Sequence, residues 1–199
     1  MATLSKSDIG NFINEFGAAG ARPSLYEVVI AEPKGLKDVK TPEKITYLCK
    51  NAQLPASTIG EIPVSFLGRQ VKMPGIRTYE NLTLSFYNDE DFFVRHNMER
   101  WMHQIQKFKQ PFGNIVNLAE SDQGHSSSQM TVTQLSKAGE PLRSYTFWHA
   151  FPTSLSAIDL GFDQSEAIEE FSVTFAYSYF EISGGSGAGA TGEGIKDDA

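Results

Sequence analysis

Between Leu54 and Asn88 the chain alternates apolar and polar positions with a period of two, the spacing of strands that bury one face. Gly60 to Phe66 puts Ile62, Val64 and Phe66 on one side and Glu61 and Ser65 on the other. Arg69 to Met73 sets Val71 and Met73 against Gln70 and Lys72, so these two strands are predicted to fold back on each other. Leu82 to Tyr87 alternates Leu82, Leu84 and Phe86 with Thr83, Ser85 and Tyr87, and is predicted as a third strand. The stretch reads as a sheet that keeps one face wet while its edges meet something else.

Helical spacing occurs twice. Ile9, Phe12, Ile13 and Phe16 fall at i, i+3, i+4 and i+7, which predicts a short N-terminal helix over Ser5 to Phe16, with Ser5 and Asp8 resembling a capping box. Val94, Met98, Trp101, Ile105 and Phe108 form the stripe of a longer helix. It is predicted to be capped at Asn88 or Asp89, with Glu90 and Asp91 favouring the positive end of its dipole, and to stop before Pro111. Strands are predicted at Ser24 to Ala31, Ile45 to Leu54, Gln129 to Leu135, Leu142 to Phe151 and Ile168 to Ile182. Polar loops join them at Glu32 to Lys44 and Gly113 to Ser128. Residues 1–183 form one domain by this reading, and Gly184 to Ala199 is a glycine-rich extension, flexible on its own and expected to pack only across a contact between copies.

Composition narrows the function. The 199 residues carry a formal charge of −7, which argues against tight nucleic-acid binding because affinity for phosphate comes from Lys and Arg. No apolar run approaches the roughly 20 residues that span a bilayer, and MATLSKSDIGNFINEF lacks the pattern of a secretory leader. Stable membrane insertion is therefore not expected, and the chain is expected to stay in the compartment that makes it. Cys49 is the single cysteine, which excludes an intrachain disulfide and fits a reducing cytoplasm.

Several chemical motifs weaken on inspection. Gly187, Gly189 and Gly192 match a dinucleotide fingerprint as a string, but seven residues remain after them and no βαβ unit can follow. His96, Glu99 and His103 share a helix, yet H-x-x-E-x-x-x-H is not the zinc spacing H-E-x-x-H, and a solvated face accounts for them. Asp159, Asp163, Glu166 and Glu169 lack the alternate ligands and central glycine of a calcium loop. Ser126 to Ser128 beside His125 has no oriented base. Cys49 in a strand reads as core rather than nucleophile, and Trp101 and Trp148 read as core aromatics. No catalytic residue, cofactor or metal is assigned. A monomeric enzyme or ligand-binding β-barrel would need convergent polar groups, which the sequence does not reveal.

An ordered series of short segments carries a resemblance. It comprises Ala21-Arg22-Pro23-Ser24-Leu25-Tyr26, Cys49-Lys50 with Leu54-Pro55, and Glu61-Ile62-Pro63-Val64-Ser65-Phe66. Arg69, Pro74-Gly75-Ile76-Arg77-Thr78-Tyr79, Asn88-Asp89-Glu90 and Trp148 to Pro152 continue it. Together they resemble the tail tube proteins of contractile-tailed, T-even-like bacteriophages over most of Ala21 to Glu181, with a longer Glu32 to Lys44 loop and an added C-terminal tail.

The resemblance implies a mainly β fold, a β-sandwich or barrel with a packed helix. It implies hexameric rings whose strands join into a 24-stranded inner β-barrel, stacked inside a contractile sheath. Such a chain is structural and not an enzyme. Its partners are other copies, the sheath protein, and baseplate and terminator proteins; DNA passes the lumen without specific binding. Its place is the virion tail, after assembly in the host cytoplasm. Tubes of related injection or secretion machines, and a baseplate-proximal tube initiator, remain alternatives.

Elementary geometry agrees with that picture. Twenty-four strands at about 4.8 Å spacing and a tilt near 40° enclose a wall roughly 45 Å across, wide enough for a duplex after side chains narrow it. An acidic or neutral bore lets phosphate slide where a basic one would grip it. Phe171, Val173, Phe175, Tyr177 and Tyr179 are predicted to share one face of their strand, opposite small polar residues. Glu61, Ser65, Glu170, Ser172, Thr174 and Ser178 are accordingly expected to face the lumen. From the residues alone they fit equally the solvent side of a monomeric sandwich; the resemblance favours the lumen.

Overall fold

The computed structural model describes residues 20–31, 42–106, 127–162 and 168–184, with Gly10, Ile13 and Pro33. The N-terminal helix, Phe108, the His125–Ser126 pair, Asp163, Glu166 and the tail beyond Gly184 lie outside the described residues. Nine strands appear among the described residues: β1 Tyr26–Ile30, β2 Cys49–Ala52, β3 Ser57–Phe66, β4 Arg69–Tyr79, β5 Leu82–Tyr87, β6 Ser128–Leu135, β7 Pro141–Leu155, β8 Glu170–Ala176 and β9 Tyr179–Ser183. Two helices accompany them, α1 Pro42–Leu48 and α2 Phe93–Ile105. Every pairing is antiparallel.

The main sheet runs β1-β6-β7-β8-β5-β2, with β9 also on β7. Its alternating residues bury one face. Leu82, Leu84 and Phe86 of β5 lie against Phe171, Val173 and Phe175 of β8, all buried, and the residues between them are half-exposed. Val28 and Ile30, Met130 and Val132, and Phe147 extend the same core from β1, β6 and β7. Helix α2 closes it with Val94, Met98 and Trp101; the Trp101 ring lies 6.0 Å from that of Phe175. These strands form a mainly β fold with one packed helix, but they do not close into a barrel among the described residues.

Three expectations are corrected. Ile45 to Leu54 is not one strand: Pro42 to Leu48 is helical and only Cys49 to Ala52 is extended. Proline at the first helical position fixes φ where no N–H partner is needed, and Glu43 suits the dipole. Helix α2 starts at Phe93, later than expected. The turn Asp89–Phe92, closed by Phe92 N–H to the Asp89 carbonyl at 2.9 Å, takes up Glu90 and Asp91.

The third correction concerns Ile168 to Ile182. The strand bends at Tyr177–Ser178 into β8 and β9. It pairs with β7 on both sides of the bend in one unbroken alignment, Phe151 with Ala176 and Trp148 with Tyr179. The two strands bend together. His149 of β7 takes a left-handed conformation (φ 55°), and Ser178 N–H donates to the Trp148 carbonyl at 3.1 Å. The alternation is lost at that point. Tyr177 meets Phe147 edge-on and Phe180 packs tilted against it, whereas Tyr179 stacks on Trp148, so Tyr179 does not share the face of Tyr177.

Strands β4 and β5 follow each other with two residues between, and β2 and β3 with four. The β2–β5 ladder, with Ala52 opposite Leu84, resumes with Ser57 opposite Tyr79 in the same alignment. Glu80 N–H to the Ala56 carbonyl bridges the gap at 3.4 Å. The two ladders are one long hairpin whose outer part, β3–β4, leaves the sheet and pairs with nothing else among the described residues. Strand β5 lies beside β8 and β2, not beside β4.

Candidate functional site

The arm made by β3 and β4 is turned by Leu67–Gly68, both at positive φ (47° and 76°), the two-residue loop that matches the natural twist of a hairpin. Direct cross-strand partners point to the same side. Ile62 faces Met73 and Val64 faces Val71, which with Phe66 gives one apolar face. Pro63 faces Lys72 and Ser65 faces Gln70, giving a polar face shared with Glu61. All of these residues are exposed; Phe66 keeps 67% of its surface and Val71 keeps 50%. Near the middle the arm carries an irregularity between Ile59 and Glu61, where two glycines meet. A Cβ on Gly75 would come within 3.0 Å of the Gly60 carbonyl oxygen, so the strands approach there as only glycine allows.

The second element is the outer face of β5 and β8. Thr83 lies opposite Thr174, Ser85 opposite Ser172 and Tyr87 opposite Glu170. Ser154 of β7 adds to the row beside Thr174. The result is a belt of hydroxyls without net charge. Its one carboxylate, Glu170, is held by Lys50 Nζ at 2.5 and 2.6 Å, and the ammonium sits 5.4 Å from the centre of the Tyr87 ring. The bond to Glu170 raises the Lys50 pKa above its ordinary value, so the ammonium beside it stays charged at neutral pH. Glu61 on the arm is likewise paired, with Lys72 at 2.6 Å.

The structure thus places Glu170, Ser172 and Thr174 together on one sheet face. Glu61 and Ser65 stand on the polar face of the arm, and Ser178 sits exposed at the bend, off the β8 row. Thr83, Ser85 and Ser154 belong to the hydroxyl belt and were not singled out from the sequence. The alternation of Leu82, Leu84 and Phe86 was the signal for the first two.

The residues that drew chemical attention have structural surroundings. Cys49 is buried, and desolvation pushes its thiol pKa up to about 12, the opposite of what a nucleophile requires. Glu99 accepts from Arg95 at 3.0 Å, and Arg95 also donates to the Ser156 carbonyl at 3.2 Å, tying α2 to the sheet. Glu169 accepts from the Asn88 side-chain amide at 2.8 Å. Trp101 is a core residue; Trp148 is half-buried against Tyr179, with an interplanar angle of 19°. No helix among the described residues is long and apolar enough to cross a membrane.

The family described as phage tail tube protein matches residues 21–183. Tail tube protein gp19 of Enterobacteria phage T4 is 26% identical over 162 residues, covering 81% of this chain and 91% of that protein. The tail tube protein of Serratia phage KSP90 is 22% identical over 171 residues, covering 83% and 93%. Among solved structures, a chain of the six-fold symmetrised baseplate of the anti-feeding prophage superposes with a TM-score of 0.59. It is 13% identical, over 84% of this chain and 98% of its own. A chain of the sheath–tube complex of PVC, an extracellular contractile injection system in the extended state, gives 0.52 at 17% identity, over 86% and 97%. The fold is shared with both.

Proposed function

We propose, from the premise that this chain belongs to the phage tail tube protein family, that six copies form a ring and that rings stack into the inner tube of a contractile tail. As a tail tube protein it is structural and no enzyme. The observation that carries the reading is the long hairpin, which starts in the core sheet and ends as an arm whose two edges are unpaired among the described residues and whose apolar face is exposed. A solitary globular protein does not keep such an edge; copies that share it do. In the proposed assembly the strands of six copies complete a 24-stranded barrel. Glu61, Ser65, Glu170, Ser172, Thr174 and Ser178 face its lumen, joined by Thr83 and Ser85.

The hydroxyl belt and the paired carboxylates support a bore that neither grips nor strongly repels phosphate, past which DNA slides. The sheath protein contacts the outside, and terminator and baseplate proteins meet the two ends, all within the virion. The T4 and KSP90 relatives favour a phage tail over the tube of an injection or secretion machine or a tube initiator.

Size-exclusion chromatography followed by negative-stain microscopy of the purified chain tests the proposal. Rings or tubes with a central hole are expected. A single species at 22.0 kDa under all concentrations and salts would end it.

A further inference from the structure

The arm owes its bare edge to a fork. Strand β8 follows β5 as far as Phe175 opposite Leu82. Continued straight, the same alignment would bring Tyr179 beside Thr78 and Glu181 beside Ile76, and the edge of β4 would be covered by its own chain. Instead the chain bends with β7, and Tyr179 and Glu181 pair with Trp148 and Thr146. The edges of β4 and β9 then diverge. At the point of divergence stands Tyr79, the last residue of β4. Its ring meets Phe180 edge-on at 5.5 Å and lies 5.9 Å from Tyr177, and both of those rings rest on the fully buried Phe147. The Glu80–Ala56 bond at 3.4 Å closes the hairpin across its own two strands at this root.

We infer that Tyr79 is a positioning residue for assembly: its ring wedges the fork open and fixes the arm to the aromatic cluster, so that the outer edge of β4 stays free for a strand of a second copy. This rests on the tube reading and adds to it the residue that readies the subunit. Tyr177 supports the geometry, since burial first and the Tyr79 phenol next raise its pKa. Without the ring at 79 the arm loses its orientation, or β9 moves across and covers β4.

The test uses the full chain with Tyr79→Phe, Tyr79→Leu and Tyr79→Ala, read by pelleting of assembled tubes, thermal melting and amide exchange over β3 and β4 before assembly. Tyr79→Phe keeps the ring and is expected to pellet as the wild type does. Tyr79→Leu and Tyr79→Ala are expected to melt cooperatively near the wild type, yet to lose about tenfold in pelleted mass and to change exchange at Thr58 and Thr78 by a similar factor. Wild-type pelleting by folded Tyr79→Ala or Tyr79→Leu overturns the inference. So does unfolding of both, which would make Tyr79 a core residue, and so does loss of assembly in Tyr79→Phe, which would assign the role to the hydroxyl. A wild-type control that forms no tubes refutes the tube reading itself, before any variant is compared.

Discussion

Asp89 does more for this structure than its place in an exposed turn suggests. Its carboxylate accepts the Phe93 N–H at 3.0 Å at the start of α2 and pairs with Lys44 of α1, whose ammonium also lies 5.0 Å from the centre of the Phe93 ring. Burial works against its charge, but the Lys44 ammonium and the Phe93 N–H outweigh it and hold its pKa below the ordinary 3.8. A lowered carboxyl pKa gives stability that is present above the unfolded value and lost as pH falls through the folded one. Asp89→Ala is therefore expected to cost about 1 kcal/mol at neutral pH, or roughly 2–4 °C of melting temperature. The gap from the wild type should close in acid, below the ordinary carboxylate value. Melting curves from pH 7 downward check it; a gap that persists unchanged in acid would assign the loss to packing. The sequence placed Asp89 at the helix entrance correctly, because an acidic residue before an apolar stripe has few other uses. Its Lys44 partner was not legible, because α1 was read as loop and strand.

At the scale of elements, what the sequence revealed depends on how many faces an element buries. β5 and β8 each bury one face and expose the other, so their strict alternation gave the orientation of both and the extent of β5. Helix α2 was legible for the same reason at a spacing of three and four. Helix α1 was missed because seven residues carry too few repeats for helical period to show against strand period. The bend in β8–β9 was missed because it depends on a partner far along the chain: His149 kinks β7, and the paired strand must follow. On β3 and β4 the alternation was read correctly, but the buried side it implied is exposed in the single chain. That mismatch is itself informative, since an apolar face left uncovered among the described residues points to cover by another copy. The double substitution Val64→Asp with Val71→Asp puts two like charges directly opposite each other on that face. It should leave the melting temperature of the unassembled body within about 2 °C, as surface changes usually do, while abolishing tubes by microscopy. A loss of fold would show that the face is already packed in the monomer.

For the whole molecule the balance lies between edges that attract and charges that repel. Each copy brings a formal −7 to a ring. The charges on the proposed lumen face are compensated locally by Lys50 and Lys72, so much of the uncompensated acid lies elsewhere. Repulsion among like copies falls as salt shortens its reach, from about 30 Å at 0.01 M to about 8 Å at 0.15 M. The subunit concentration at which tubes first pellet is therefore expected to drop across that range. A threshold that rises with salt would mean that ion pairs between copies, not strand edges and apolar contact, hold the ring together.

The unbroken register from the core ladder into the arm carries a mechanical consequence. Tension applied at the tip of β3–β4 is transmitted along backbone hydrogen bonds into β2 and β5, and from there into the centre of the sheet. A polymer linked through such limbs would resist being stretched or sheared much as a woven fabric does, each thread running on into the next patch. A conduit driven against a resistant surface would draw its stiffness from the same peptide groups that fold each piece.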